Sequence, residues 1–501
     1  MNPVRPATPV TGGRPAFAAV PVGIVAAGIA VILFALSSRY GFHRDELYFL
    51  AAGAHPAWGY VDQPPLTPLV ARAATALFGN TPTGLRVPAT LAGAATIVLV
   101  ALVARELGGG RAAQVLAAIC AAVSGFVLAV GHMVSTATFD LLAWVLIAWL
   151  ALRLLRTGDG RWWLALGAAV GVGTLNKYLV ALLVIALVVA VLVVGPRDVL
   201  RGRWLVAGVV IAAVIAAPNL WWQATHGWPQ LTVAGGISAD DGTENRVLFV
   251  PMQIAFLSPL LVPVWIAGIR RLWRDPDLRW ARSMAVAYPA LCVLVLASGG
   301  KPYYALPLLL VLTAAGCEPL ARWARSRWRV TTVVVAGVVA AVMSAVITLP
   351  VLPADSLSVP NAINEEQGEQ LGWPQLTSAV AAGWSAIPAA ERSRAVIFAE
   401  NYGEAGAIAR YGPAHGLPEP YSGHMSNADW GPPPDSANGP VVVVNQEGDQ
   451  GIGRFFTGCR VMSHVDTGRD VDNQEQGAPV TLCSGTTKPW SALWPSLRHY
   501  Y

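Results

Sequence analysis

Eleven apolar stretches, separated by short polar loops, constrain this 501-residue chain more than any other feature. They run over 16–36, 84–104, 112–131, 135–155, 162–175, 178–194, 203–220, 247–269, 281–298, 302–317 and 330–350. A helix needs about 20 mostly apolar residues to cross the hydrocarbon core of a bilayer. The fifth and sixth stretches are short and are separated only by Asn176-Lys177, as in a tight helical hairpin or one broken helix. Only 13% of the residues are charged, against about a quarter in soluble domains. Lipid is therefore the expected solvent for residues 16–350. The expected fold is a polytopic α-helical membrane protein with about 11 transmembrane helices, followed by a C-terminal extracytoplasmic α/β domain.

Charge placement predicts orientation. With the N-terminus in the cytoplasm, the inside segments carry nineteen arginines and the outside loops only seven basic residues, Arg39, Arg44, Arg72, Arg86, Lys177, Arg246 and Lys301. Basic residues concentrate on the cytoplasmic side of membrane proteins. The net charge of +5 is thus a signal of orientation, and no nucleic-acid partner is expected. Residues 1–15 read as a Pro-rich disordered cytoplasmic lead, and 16–36 as an uncleaved signal anchor. The loops 37–83 and 221–246 and the tail 351–501 then share the outer side.

The first outer loop is patterned. Asp45 to Ala54 and Leu66 to Phe78 predict two interfacial helices joined by a Pro64-Pro65 turn. In the tail, 395–399, 441–444, 460–465 and 479–482 predict strands, and 403–411 a helix. Cys459 and Cys483 begin and end two late strands in a compartment expected to be oxidising, and are predicted to form a disulfide. Cys120, Cys292 and Cys317 fall in or beside apolar runs.

The chemistry-bearing residues cluster on the outer side. His43-Arg44-Asp45-Glu46-Leu47-Tyr48 follows the first span, and Asp140 opens the fourth; acids that close to lipid tend to face a cavity or a partner. The chain has three lysines, of which Lys177 and Lys301 stand in tight outer turns beside Tyr178, Tyr303 and Tyr304. A lysine at headgroup level among tyrosine hydroxyls suits a lipid-linked phosphate. Interfacial snorkelling accounts for one such lysine, and less well for two that run against the charge bias.

Asp45-Glu46-x-Tyr48, then Gln63-Pro64-Pro65-Leu66, resembles the GT-C superfamily of polyprenyl-phosphate-sugar-dependent glycosyltransferases, in particular the protein O-mannosyltransferase and lipid A aminoarabinose transferase families. Lys301-Pro302-Tyr303-Tyr304-Ala305-Leu306-Pro307 and Glu400-Asn401-Tyr402-Gly403-Glu404-Ala405-Gly406 are similar to later motifs of that group. The resemblance implies a polyprenyl-phosphate sugar donor, a lipid, glycan or protein acceptor, and Asp45 as the catalytic carboxylate with Asp140 and Glu46 in support. Lys177, Lys301, Tyr303, Tyr304 and Tyr48 are the expected contacts of the donor phosphate; His43, Asp62 and Gln63 are expected to bind substrate. Two positions depart from the pattern, since the aminoarabinose transferases carry a basic residue at Gln63 and an arginine near Tyr48. The sequence identifies no definite cofactor, and a divalent ion (Mg, Mn or Ca) between the acids and the phosphate stays open. A transporter or flippase of lipid-linked sugars is the second reading; it calls for mid-membrane charges and internal repeats, neither of which the sequence displays.

Overall fold

A computed structural model describes residues 14–445, 454–469 and 471–500. Most of the expected N-terminal lead lies outside the described residues. In chain order the apolar part contains α1 (Ala19–Leu36), α2 (Arg44–Ala54), α3 (Leu66–Phe78), α4 (Pro82–Glu106), α5 (Arg111–Ala122), α6 (Gly125–His132), α7 (Thr136–Thr157), α8 (Trp162–Thr174), α9 (Val180–Val194), α10 (Arg203–Thr225), α11 (Pro229–Asp240), α12 (Gly242–Ala255), α13 (Val262–Arg274), α14 (Arg282–Ser298), α15 (Leu306–Trp323) and α16 (Arg327–Thr348).

All eleven apolar stretches are helical, and the chain is a multi-pass membrane protein. Among the described residues, seven helices are long and apolar enough to cross a membrane, and up to nine if each bent pair counts as one span. α8 and α9 are apolar but shorter, with 13 and 15 residues. The bent pairs are α5–α6, broken by 61°, and α12–α13, broken by 70°. Their breaks meet: the Phe126 amide donates to Phe256 O at 2.8 Å. Each break thereby helps satisfy the backbone groups that the other frees, as an apolar environment requires. Helices cross closely where glycines face one another; a Cβ on Gly316 of α15 would sit 1.8 Å from Val264 O of α13. The expected loop 221–246 is instead helical, because α10 runs on to Thr225 and Pro229 opens α11 from its first turn, a position where proline costs no hydrogen bond.

Contacts at the helix ends sort the spans into two faces. On one, Glu106 at the end of α4 is buried and pairs with Arg14 at 3.0 Å, with Arg156, and with Arg153 at 3.9 Å. Arg271 of α13 reaches Leu107 O and Ala315 O on the same face. The other face gathers the end of α1, the starts of α4 and α7, the end of α10 and the short turn before α15, and carries the residues singled out above.

The C-terminal part adds α17 (Ser358–Ile363), α18 (Trp373–Ser385), β1 (Val396–Ala399), α19 (Tyr402–Tyr411), β2 (Tyr421–Ser422), β3 (Val441–Val444), β4 (Phe456–Thr457), β5 (Arg460–His464), β6 (Pro479–Cys483), β7 (Gly485–Thr486) and α20 (Trp490–Leu497). A five-stranded sheet has the order β2-β1-β3-β6-β5, with β1 parallel to β2 and β3, and β6 antiparallel to its neighbours. β1 and β3 are apolar on both faces because both are covered. Ile397, Ala399, Val442 and Val444 pack with residues of α18 and α19; Val396, Phe398, Val441 and Val443 pack with Trp490, Leu493 and Trp494 of α20. Cys459 and Cys483 are joined by a disulfide. Reduction is expected to raise the mass by about 2 Da after alkylation is accounted for, with no change in a Cys459→Ser variant.

The core under α18 and α19 also contains Phe42, Leu47, Tyr48 and Phe49. Helix α2 is therefore sandwiched between the spans and the C-terminal part, and is not the interfacial helix expected. Helix α3 does expose Leu69, Leu77 and Phe78.

Candidate functional site

The start of α2 organises the site. His43 caps it: Nδ1 accepts from the Asp45 amide at 3.1 Å, while Glu46 Oε2 accepts from the His43 amide at 2.9 Å. An accepting Nδ1 requires the Nε2–H tautomer, and that nitrogen meets Glu366 at 2.8 Å. The protein packed around Glu366 works against a charge on it, but the hydrogen bond from His43 and the charges of Lys301 and Arg44 hold its carboxyl down at about 2. Its side chain keeps 62% of its surface open, so it presents an ionised carboxylate to water. His43 itself is buried, which makes it a positioning group for α2 and Glu366.

Glu46 and Asp45, adjacent in sequence, have opposite surroundings. Glu46 is fully buried and accepts three hydrogen bonds besides its cap: two from Arg86, at 2.8 and 2.7 Å, complete a bidentate pair, and the Val134 amide adds one at 3.0 Å. Those are Oε1 and Oε2 together taking Arg86 Nε, Arg86 NH2, Val134 N and His43 N. Arg86 also donates to Ser37 O, Gly41 O and Gln370. Glu46 thus ties α2, α4 and the segment before α7 together. Asp45 is half-buried; Oδ1 accepts from the Tyr402 hydroxyl at 2.8 Å, and Oδ2 accepts no hydrogen bond among the described residues.

Tyr48 is buried and its hydroxyl is engaged by the protein. Its hydroxyl donates to Asp62 at 2.6 Å and accepts from the Ser426 amide at 3.3 Å. Burial, with Asp45 adding to it, pushes Asp62 up to about 6 against the bond from Tyr48. Gln63 is 1% exposed, yet neither polar atom of its side chain has a partner among the described residues. Buried amides are nearly always paired, by water or ligand when not by protein. The chain just after it is fixed beside Asn176, through Leu66 N to Leu175 O at 3.0 Å and Thr67 to Asn176 at 2.8 Å.

That anchor brings the turn to Lys177. Its ammonium lies 4.9 Å from the ring centre of Tyr304 and 5.5 Å from that of Tyr303, a favourable cation–π arrangement. Tyr303 stacks on Phe126 at 5.7 Å. Asp140 is buried, accepts from Trp144 at 2.9 Å, and lies within electrostatic reach of Lys177. Lys301 is half-exposed and faces Asp241 at 3.7 Å. The structure thus brings Lys177, Tyr303, Tyr304 and Asp140 together, with Lys301 near Glu366 on the same face. Among the described residues, no three His, Cys, Asp or Glu side chains form a metal-binding group. An apolar cavity of about 130 Å³ between α7, α8, α9, α10 and α14 has no polar lining suited to chemistry.

Sequence reasoning singles out neither Arg86 nor Asp241 nor Glu366, and leaves Tyr402, in its motif, open between an acceptor-binding and a turn or core residue. A second buried group lies behind Tyr402. Arg44 meets Gln474 and lies 3.7 Å from Glu369. Burial, with Glu475 adding to it, raises Glu404 to about 8; burial, with Glu369 adding to it, raises Glu475 to about 7. Carboxyls titrate near 4.3 when unfolded, so the native state holds protons that the unfolded chain releases. Their stabilisation is complete below about pH 4 and is lost as pH rises through 7–8. The thermal midpoint in detergent is expected to fall between about pH 6 and pH 9, and to fall less in Glu404→Gln; an equal slope in that variant contradicts the assignment.

Residues 62–222 match the family of dolichyl-phosphate-mannose-protein mannosyltransferases. The structure is similar to ArnT from Cupriavidus metallidurans bound to undecaprenyl phosphate, with TM-score 0.60 and 16% identity over 91% of this chain and 97% of that one. It is also similar to the apo state of that protein, with TM-score 0.58 and 15% identity over 93% and 98% of the two chains. The fold is the GT-C fold. No curated protein sequence matches the chain.

Proposed function

We propose that this GT-C-fold protein is a membrane glycosyltransferase that moves a sugar from a polyprenyl phosphate to a hydroxyl acceptor on the outer face, with Asp45 as general base. One observation carries the reading: Asp45 is a half-open carboxylate with one oxygen fixed by Tyr402 and the other unengaged, beside an acid of the same loop that is fully sequestered. The lipid-bound form of the similar ArnT structure supports the donor class.

In the proposed reaction the acceptor oxygen attacks the anomeric carbon and its proton passes to Asp45 Oδ2. The bond from that carbon to the phosphate oxygen breaks, and its electron pair leaves with the phosphate. Positive charge must be in place where that charge develops; Lys177 provides it, Lys301 adds to it, and the hydroxyls of Tyr303 and Tyr304 are donors beside them. A single displacement inverts the anomeric centre. The unpaired amide of Gln63 is available to the donor, and Asp62 lies on the acceptor side with Asp45. Asp140 orients Lys177. In this reading the arginine-rich face is cytoplasmic, residues 16–350 form the catalytic domain and 351–501 an extracytoplasmic domain.

The test compares membranes with and without the protein, by mass spectrometry of lipid-linked sugars and envelope glycans. The expected result is one polyprenyl-phosphate sugar accumulating, and one glycan substituent disappearing, in its absence. Transbilayer movement of such a lipid in proteoliposomes, with no covalent product, sinks the proposal in favour of a flippase.

A further inference from the structure

The C-terminal part reaches the proposed base directly. Tyr402 is the first residue of α19, and its hydroxyl donates to Asp45 Oδ1 at 2.8 Å across 357 residues of sequence. Its ring is fixed on three sides: Tyr48 at 4.9 Å and His424 at 5.0 Å between ring centres, and the Arg44 guanidinium 5.0 Å above its centre. Asn401 and Glu404 cap the helix reciprocally, so the residue between them has little freedom. The next turns explain how α19 comes so close. A Cβ on Gly406 would lie 2.9–3.0 Å from Leu47 Cβ, C and O, and one on Gly403 would lie 3.3 Å from Arg44 Cβ. Two glycines three apart stand on one helical face. They let α19 seat its backbone against α2 on either side of Asp45.

We infer that Tyr402 is a positioning residue for Asp45, so that the C-terminal part is a working component of the transfer site. The inference rests on Asp45 being the base. Holding Oδ1 fixes the carboxylate's rotation and leaves Oδ2 for the acceptor proton. Burial, with the negative charge of Asp45 adding to it, keeps the phenol well above its ordinary range, so Tyr402 stays a donor through the pH range of the reaction. A base that is free to rotate spends less time in the geometry of attack, which lowers turnover without weakening donor binding.

The test uses the full chain in nanodiscs, supplied with lipid-linked sugars and acceptor glycan extracted from the producing cells. Tyr402→Phe keeps the ring and removes the donor. Its kcat is expected to fall about 10- to 100-fold with KM for the donor lipid within about twofold of wild type. Tyr402→His, which retains a ring N–H, is expected to keep more turnover than Tyr402→Phe. Asp45→Asn is the control. If it is inactive while Tyr402→Phe turns over like wild type, or changes only KM, or outperforms Tyr402→His, the inference is overturned and the assignment of Asp45 stands. If Asp45→Asn is fully active, the assignment of Asp45 falls and takes this inference with it.

Discussion

Asp45→Asn is expected to lower the rate of sugar transfer by about 10²–10⁴-fold, the range that general-base catalysis contributes. The substitution changes the fewest other things. Asparagine has the shape of aspartate, and its carbonyl oxygen can still accept from Tyr402, so the contact between α2 and α19 is kept. What it loses is the ability to take a proton from the attacking hydroxyl. The half-buried position of Asp45 also means that the variant leaves no unpaired charge in the core. Membrane insertion and thermal midpoint are therefore expected to match the wild type while product formation collapses. Transfer at the wild-type rate by a correctly inserted Asp45→Asn protein rules out Asp45 as the base. The matching Glu46→Gln variant does not test catalysis, because Glu46 is sealed behind Arg86 and the Val134 amide.

The contrast between these adjacent acids marks where sequence reading ends. Hydropathy located every helix in the spans, because a segment surrounded by lipid shows its length as an apolar run. Short apolar runs located β1 and β3, local patterning located α2, α3, α19, β5 and β6, and oxidising surroundings made the Cys459–Cys483 pairing legible. The bends after Ala122 and Ala255 were not legible, since each break is stabilised by the other far along the chain. Nor was the helix over 229–240, where Pro229 and Gly235-Gly236 look like loop residues. The proximity of Lys177 to Tyr303 and Tyr304 was legible from their shared outer turns. The site was illegible wherever a role is set by a partner distant in sequence. Nothing near Glu46 announces Arg86, and nothing near Asp45 announces Tyr402. Nor does anything near Tyr48 in its helix announce that its hydroxyl meets Asp62.

Breaking the Glu46–Arg86 pair is expected to have the largest effect on stability. Both side chains are fully buried, 2.7 Å apart at Oε2 and NH2. Removing one partner of such a pair leaves an uncompensated buried charge, at a cost of about 3–5 kcal/mol. Arg86→Leu is expected to reach the upper end, because it also strands Ser37 O, Gly41 O and the Gln370 side chain. Those three acceptors belong to the end of α1, the entry to α2 and the C-terminal part, so one guanidinium braces the floor of the site from three directions. Arg86→Lys separates charge from geometry. Lysine restores the positive charge but has neither the planar fork that meets both oxygens of Glu46 nor enough donors for the remaining acceptors. It is expected to recover less than half of the stability lost in Arg86→Leu, read as the thermal midpoint in detergent. Arg86→Lys melting with the wild type would reduce the brace to a charge effect. A loss in both variants, together with faster hydrogen exchange at α2 than at α14, places the damage where Asp45 is held.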